Sequence, residues 1–289
     1  MLDLDISQRV NPLYMDRAIP TIRPYVYQVL VHADPNCLEP EGSCVFINYK
    51  RRFFMVTAGH VWASSQSANP AGIYVFNIVG PDAEGPETSF IEIPGEPLLS
   101  ENYGDRTDNV DLAVIEIDEN FFRLSGFSAV PERMFAEERD KGNWNLILQG
   151  FPAARTKKYL KARGKIHKTF CMYYLEEKVL GFDWKKYPLY NAQHNIPVPY
   201  GVGRDMAYSP TYPKRANKVS PNPVGLSGGA LWSTPSILLH PSELRLHGII
   251  VMKEQKVKSR KLAKKRKDSS AITFSTHINK VLELIDSSN

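Results

Sequence analysis

The sequence has little cysteine, no long apolar run and no apolar leader. Only three of its 289 residues are cysteines, Cys37, Cys44 and Cys171, a number too small and too odd for a disulfide framework. No run approaches the roughly 18 apolar residues of a membrane-spanning helix. Residues 1–10 carry two acids and lack the apolar core of a signal peptide. We therefore expect free buried thiols, with a Cys37–Cys44 pair as the alternative, a cytoplasmic location and no membrane association.

Strong compositional bias is absent as well. Hydrophobic residues make up 43% and charged residues 23% of the chain, which argues against a disordered chain, a collagen-like repeat or a coiled coil. A chain of 289 residues exceeds the usual single-domain size but suits a compact two-barrel all-β protein. The composition predicts a globular protein with a substantial core.

The net charge of +5 is concentrated in one segment. Residues 253–267 hold nine Lys or Arg and one Glu, a local charge of +8, which leaves −3 for the rest of the chain. We interpret this stretch as a solvated loop. The alternative is a nucleic-acid site, since clustered cations attract phosphates, but the stretch has no aromatic residue for base stacking. Residues 155–168 form a second basic stretch, with one tyrosine.

Short β-type runs separated by Pro, Gly, Asn and Asp recur along the chain, a pattern typical of a β-sandwich or β-barrel. The predicted strands are 25–32, 44–49, 52–57, 73–79, 111–117, 144–149, 230–232, 244–252 and 271–275. Helical periodicity is clear only at the end, where residues 276–286 are predicted to form an amphipathic helix with Ser275 or Thr276 as its N-cap. Its apolar face holds Ile278, Val281, Leu282 and Ile285.

The first segment that could take part in catalysis ends in Thr57-Ala-Gly-His60. A strand followed by a turn of small residues delivers an imidazole to the rim of a barrel, and imidazole is the commonest general base. Taken alone, a histidine after a strand is more often a structural residue or a surface residue than a catalytic one.

The second segment places Asp111 at the head of the apolar strand 111–117. A buried carboxylate costs several kcal/mol unless a cation or an N–H donor meets it, so Asp111 calls for a partner such as an imidazole. The alternative is an aspartate that caps a turn. Asp108 is the fallback candidate.

The third segment, Gly225-Leu-Ser-Gly-Gly229, precedes an apolar strand. Glycines on both sides of Ser227 permit a tight turn that presents backbone N–H groups, as an oxyanion hole requires. A flexible loop is the simpler reading of this segment alone.

These motifs, TAGH at 57–60, DLAV at 111–114 and GLSGG at 225–229, resemble the trypsin-like (chymotrypsin-fold) serine peptidases, especially their disulfide-free bacterial members. EGSCVFI at 41–47 is similar to the family's strand before the histidine, QGFP at 149–152 to a turn of its second barrel, and HGIIVM at 247–252 to the strand that follows its serine.

The resemblance implies an all-β fold of two antiparallel, six-stranded-type chymotrypsin-like barrels followed by the C-terminal helix. We expect an N-terminal extension at 1–24 and a peptidase domain at 25–289, with barrels at about 25–125 and about 140–275.

The resemblance also implies roles for these residues. His60, Asp111 and Ser227 would form the catalytic triad, and the N–H groups of Gly225 and Ser227 the oxyanion hole. No metal or cofactor is implied.

Two departures from the family pattern matter. Val61 follows the histidine where many secreted members have cysteine, and Leu226 stands where the digestive enzymes have an aspartate that pairs with a newly cut N-terminus. Activation by N-terminal cleavage is therefore not expected.

The specificity pocket is predicted to lie between a base at Pro221 and an adjacent wall. None of these positions is acidic, which favours an apolar or small side chain before the cleaved bond. The predicted wall consists of Val251, Met252 and Lys253.

We therefore predict an intracellular, regulated serine endopeptidase that acts on a protein or peptide substrate and has a regulatory protein partner. There are two alternatives. One is a pseudoprotease, that is, a double-barrel binding module without activity, and the other is a nucleic-acid binder that uses the basic loop.

Overall fold

A computed structural model gives the fold over most of the chain. It describes residues 12–34, 37–68, 73–76, 90–93, 96–100, 110–124, 126–137, 145–152, 172–177, 183, 185, 187, 190, 192–201, 207–208, 224–234, 243–251 and 270–288. The predicted site residues Pro221, Met252 and Lys253, the fallback Asp108, and the basic stretches 155–168 and 253–267 lie outside these ranges.

The first half of the chain forms one sheet, in the order β5-β4-β1-β2-β3-β7-β6, with β8 beside β2. All its neighbours are antiparallel except β8, which runs parallel to β2. Its strands are β1 (Val26–Asp34), β2 (Cys37–Tyr49), β3 (Arg52–Ala58), β4 (Ile73–Phe76), β5 (Phe90–Ile93), β6 (Leu98–Leu99), β7 (Leu112–Ile117) and β8 (Val130–Pro131).

The second half forms an antiparallel sheet in the order β11-β15-β14-β13-β9-β10-β12. Without the two-residue strands, each sheet has six strands within the described ranges. The predicted all-β fold class is confirmed. The strands are β9 (Asn145–Gly150), β10 (Met172–Glu177), β11 (Asn195–Gly201), β12 (Ala207–Tyr208), β13 (Ala230–Thr234), β14 (Arg245–Val251) and β15 (Ser270–His277).

The hairpin between β2 and β3 shows how local sequence sets the register. Tyr49 pairs with Arg52, so only Lys50 and Arg51 form the turn, and their φ angles are 51° and 64°. Positive φ at both central residues is the type I′ pattern, whose twist matches that of paired strands. The predicted strands 44–49 and 52–57 are therefore joined by a two-residue hairpin turn.

Four helices accompany the sheets in the described part of the chain: α1 (Pro12–Ile22), α2 (Gly59–Ala68), α3 (Glu119–Leu124) and α4 (Ile278–Ser287). The periodicity predicted only the last of these. Ile278, Val281 and Ile285 are buried on it, as the pattern indicated. The predicted N-cap is wrong, because β15 continues through Thr276 to His277, which occupies the cap position without a capping side-chain bond.

The largest apolar cluster joins both sheets. It contains Val45 and Val56 from the first sheet, Ile147 and Ile249 from the second, and residues of both terminal helices. From α1, which lies in the predicted N-terminal extension, Ala18, Ile19 and Ile22 enter it and are at most 2% exposed. Burial of such side chains contributes about 1.5–3 kcal/mol each, so the cluster holds the two sheets together and packs both terminal helices against them.

None of the helices in the described ranges is both long enough and apolar enough to span a bilayer.

Cys44 should resist alkylation in the folded protein. Its thiol is free and fully buried in β2, and burial raises its pKa well above the ordinary range, so both access and the reactive thiolate are denied to the reagent. Mass spectrometry after iodoacetamide treatment should find Cys44 unmodified in native protein and modified after unfolding in guanidinium chloride. Equal modification in both conditions would contradict this packing.

Candidate active site

His60 lies where β3 passes directly into a helix. The strand ends at Ala58 and α2 begins at Gly59, so the imidazole projects from a first helical turn and not from the small-residue turn expected from sequence. Its side chain is 38% exposed. Just beyond the end of β3, the ring is open to solvent on one side and contacts Asp111 on the other.

Asp111 meets both the backbone and the ring of His60. Its Oδ1 accepts the His60 N–H at 3.1 Å, and its Oδ2 lies 2.6 Å from His60 Nδ1. The carbonyl of Asp111 also accepts the Gly59 N–H at 2.8 Å. A carboxylate held this way favours the tautomer with hydrogen on Nδ1, which leaves Nε2 free to accept a proton.

Asp111 has a left-handed backbone conformation, and the residue before it accepts a hydrogen bond from the second sheet. Asp111 is 3% exposed and has a φ of 48°, a left-handed conformation in which aspartate is enriched among non-glycine residues. The Thr276 hydroxyl on β15 donates to the carbonyl of the preceding Val110 at 2.6 Å. The predicted strand head is therefore a sharp turn just before β7, and it is tied to the other sheet.

The segment from Gly225 to Gly229 forms a tight turn ahead of β13. Gly225 and Gly228 have φ angles of 93° and 84°, as predicted for glycines around Ser227. The Leu226 carbonyl accepts the Gly229 N–H at 2.8 Å. In a trans peptide the carbonyl and the next N–H point in opposite directions, so the Ser227 N–H points away from this turn. Within the described chain, the N–H groups of Gly225 and Ser227 donate to no acceptor.

Two glycines bring this turn against the first sheet. A Cβ on Gly228 would lie 1.9 Å from the Ser43 carbonyl oxygen and 2.3 Å from Thr57 Oγ1. A Cβ on Gly42 would lie 2.8 Å from both methyls of Val61 and 3.0 Å from the Ser227 carbonyl oxygen. The serine turn and Val61, the residue after His60, therefore both pack against the backbone of Gly42.

The hydroxyl of Ser227 makes no hydrogen bond to any described residue, His60 included. Ser227 itself is 5% exposed. Catalytic hydrogen bonds are often longer in the free protein and close when substrate binds, so a serine near the imidazole segment but not yet bonded to it is compatible with general-base chemistry.

The departure at Leu226 has a packing explanation. Leu226 is fully buried in an apolar cluster of the second sheet that includes Leu146, Leu148 and Ile250. A carboxylate at this position would be desolvated among aliphatic side chains at a cost of several kcal/mol.

Of the predicted specificity wall, the structure describes Val251 alone. It is 1% exposed, pairs with Phe274 across β14 and β15, and belongs to the second apolar cluster. Tyr190 stacks on Phe274 with ring centroids 3.7 Å apart. This aromatic packing behind Val251 was missed, because the tyrosines lie in a Pro- and Lys-rich stretch without β periodicity.

No protein-family model matches the chain, and no curated protein matches it in sequence. Among solved structures, a thermostable serine protease from an extremophilic microorganism is similar over 89% of this chain and 93% of its own, with a TM-score of 0.46 and 13% identity. The described structure, mostly antiparallel sheets with few helices, coarsely resembles the chymotrypsin-like protease fold. At this identity the likeness concerns the fold alone.

Proposed function

We propose that the protein is a serine endopeptidase in which His60, Asp111 and Ser227 act as the triad. The observation that carries the proposal is the double contact of the buried Asp111 carboxylate with the N–H and ring of His60. The Nδ1 contact orients the ring, and the N–H contact holds the carboxylate in place beside it. The glycine-flanked serine turn and Val61, the residue after His60, both pack against Gly42.

The proposed reaction uses the following steps. Ser227 Oγ attacks the peptide carbonyl carbon while His60 Nε2 takes the hydroxyl proton, and the imidazolium is stabilised by Asp111. The oxyanion accepts hydrogen bonds from the N–H groups of Gly225 and Ser227. Each such bond lowers the activation free energy by roughly 3 kcal/mol in sites of this kind. His60 then returns the proton to the leaving amine, and water hydrolyses the acyl-serine by the reverse sequence.

Labelling with a fluorescent fluorophosphonate tests this proposal. Wild type should label, and Ser227→Ala and His60→Ala should not, because the first lacks the nucleophile and the second its base. Ser233→Ala is the matched control, since Ser233 is also buried, on the next strand, with its hydroxyl bonded to His247, and it should label like wild type.

Labelled protein should also cleave a peptide library made from a digested proteome, with products read by mass spectrometry. Labelling without peptide cleavage would indicate a serine hydrolase of another kind. A folded wild type that does not label would contradict the proposal and favour a binding module.

The proposal extends to selectivity and regulation. A protein or peptide substrate and a regulatory partner fit a protease that shares a compartment with other proteins. Broad digestion of casein by the isolated chain would contradict that setting.

A further inference from the structure

Ser43 on β2 uses all of its polar groups in hydrogen bonds. Its N–H donates to the Ser227 carbonyl at 2.8 Å, and its hydroxyl donates to the Gly225 carbonyl at 3.0 Å. The hydroxyl also accepts the Phe151 N–H at 2.9 Å, and its carbonyl accepts the Thr57 hydroxyl at 2.8 Å. Ser43 is completely buried, so none of these groups has water as an alternative partner.

Two of these bonds hold the ends of one short segment. Gly225 and Ser227 flank Leu226, and Ser43 bonds the carbonyl of each from the opposite sheet. Glycine at 225 has wide backbone freedom, and its φ is 93°. Within the described residues, the Gly225 carbonyl accepts a hydrogen bond from the Ser43 hydroxyl and from no other group. The bond from Ser43 therefore selects one orientation of this flexible residue.

The hydroxyl of Ser43 also ties this segment to the second sheet. Through Phe151, which follows β9, the same oxygen bonds the turn after Gly150. A Cβ on Gly150 would lie 3.1 Å from that oxygen, so the hydroxyl fills a close gap between three backbone segments. A serine is small enough for this gap and carries both the donor and the acceptor that the segments require.

We propose that Ser43 is a positioning residue that sets the geometry of the Gly225 and Ser227 N–H groups, and thus of the oxyanion hole. The inference rests on the proposed function. It assigns Ser43 no contact with substrate. Its effect would pass through the two carbonyls, which share their peptide planes with the Leu226 and Gly228 N–H groups. Because these two planes are fixed, the peptide between them, which carries the Ser227 N–H, and the adjoining peptide that carries the Gly225 N–H have little freedom to rotate.

Inactivation by a fluorophosphonate tests the inference without knowledge of the natural substrate. Ser43→Ala should lower the limiting inactivation rate constant by about 10- to 100-fold, since a misplacement near 1 Å costs up to about that much. The concentration for half-maximal inactivation should stay unchanged, because the oxyanion donors act on the transition state. The pH of half-maximal labelling should also stay unchanged, because Asp111 and His60 are not touched.

Two further variants separate positioning from loss of folding. Ser43→Thr keeps the hydroxyl but adds one methyl group at a fully buried position, and the folded variant should recover most of the labelling rate. Ser43→Cys replaces the hydroxyl with a somewhat larger thiol that is a weak donor. It should remain at least about fivefold slower than the threonine variant, a smaller loss than that of alanine because a weak bond remains. This pair decides the matter if Ser43→Ala does not fold. Ser233→Ala, another buried serine, should lower the melting temperature without lowering the limiting rate.

The outcomes distinguish the two proposals. If wild type does not label, the proposed function fails and the role of Ser43 fails with it. If wild type labels and folded Ser43→Ala, or Ser43→Cys in its place, labels at the wild-type limiting rate, the peptidase proposal stands and the positioning role is overturned. A slower rate that threonine does not recover and that is accompanied by a shifted pH profile would also overturn it, because the damage would then be general.

Discussion

Replacing Gly228 by alanine is expected to destabilise the protein by about 4 kcal/mol or more, a size reached only by severe core changes. The new Cβ would lie 1.9 Å from the Ser43 carbonyl oxygen and 2.3 Å from Thr57 Oγ1. Backbone on one side and a buried, bonded hydroxyl on the other leave no flexible group to move. The φ of 84° adds its own strain, typically about 1–2 kcal/mol for a residue with a Cβ.

Gly126→Ala is the matched control. Gly126 also has a positive φ, 67°, but no atom of the described residues outside its immediate chain neighbours lies within 4 Å of its added Cβ. It should therefore lose only the conformational part, about 1 kcal/mol. Urea denaturation followed by circular dichroism measures both variants. Equal losses at the two positions would mean that Gly228 does not pack against the first sheet as described.

The strands of the core were predictable because their side chains alternate or run apolar over several residues. The segments 52–57, 111–117 and 230–232 carried this pattern, and each coincides with a strand of the structure. The two-residue strand Leu98–Leu99 was not predictable, because it exists only through its pairing with Val114 and Ala113. Two residues carry no period of their own.

The helix Pro12–Ile22 was missed for a different reason. It contains a proline inside, Pro20, and isolated helices of this length are marginal in water. Its stability comes from Ala18, Ile19 and Ile22, which pack in the cluster between the sheets. Helix formation there depends on a surface that the local sequence does not contain.

The candidate site divides in the same way. The motifs nominated His60, Asp111 and Ser227 one by one, because each combines a reactive side chain with a local turn or strand end. The residues that hold these segments in place could not be predicted, because the sequence pattern indicates only an ordinary strand residue at Ser43 and a helix cap at Thr276. Both act across the two sheets, over separations of 182 and 166 residues.

Asp111→Asn is expected to reduce turnover by about 10,000-fold, the effect known for this change in a serine triad. An asparagine has one acceptor and one donor group. If its oxygen keeps the bond to the His60 N–H, its NH₂ faces Nδ1 and requires that nitrogen to be the acceptor. The hydrogen then sits on Nε2, which can no longer take the serine proton. The rate of fluorophosphonate labelling, or of peptide cleavage once a substrate is found, measures the loss.

The same substitution at Asp118 is the control. Asp118 caps α3 by accepting the N–H groups of Asn120 and Phe121, and asparagine serves equally well at a helix N-cap, so Asp118→Asn should keep the wild-type rate. Asp108→Asn tests the fallback assignment and should also keep it. If Asp111→Asn retained the wild-type rate while Asp108→Asn lost it, the contact between Asp111 and His60 would be structural, and the general base would be oriented by the other aspartate.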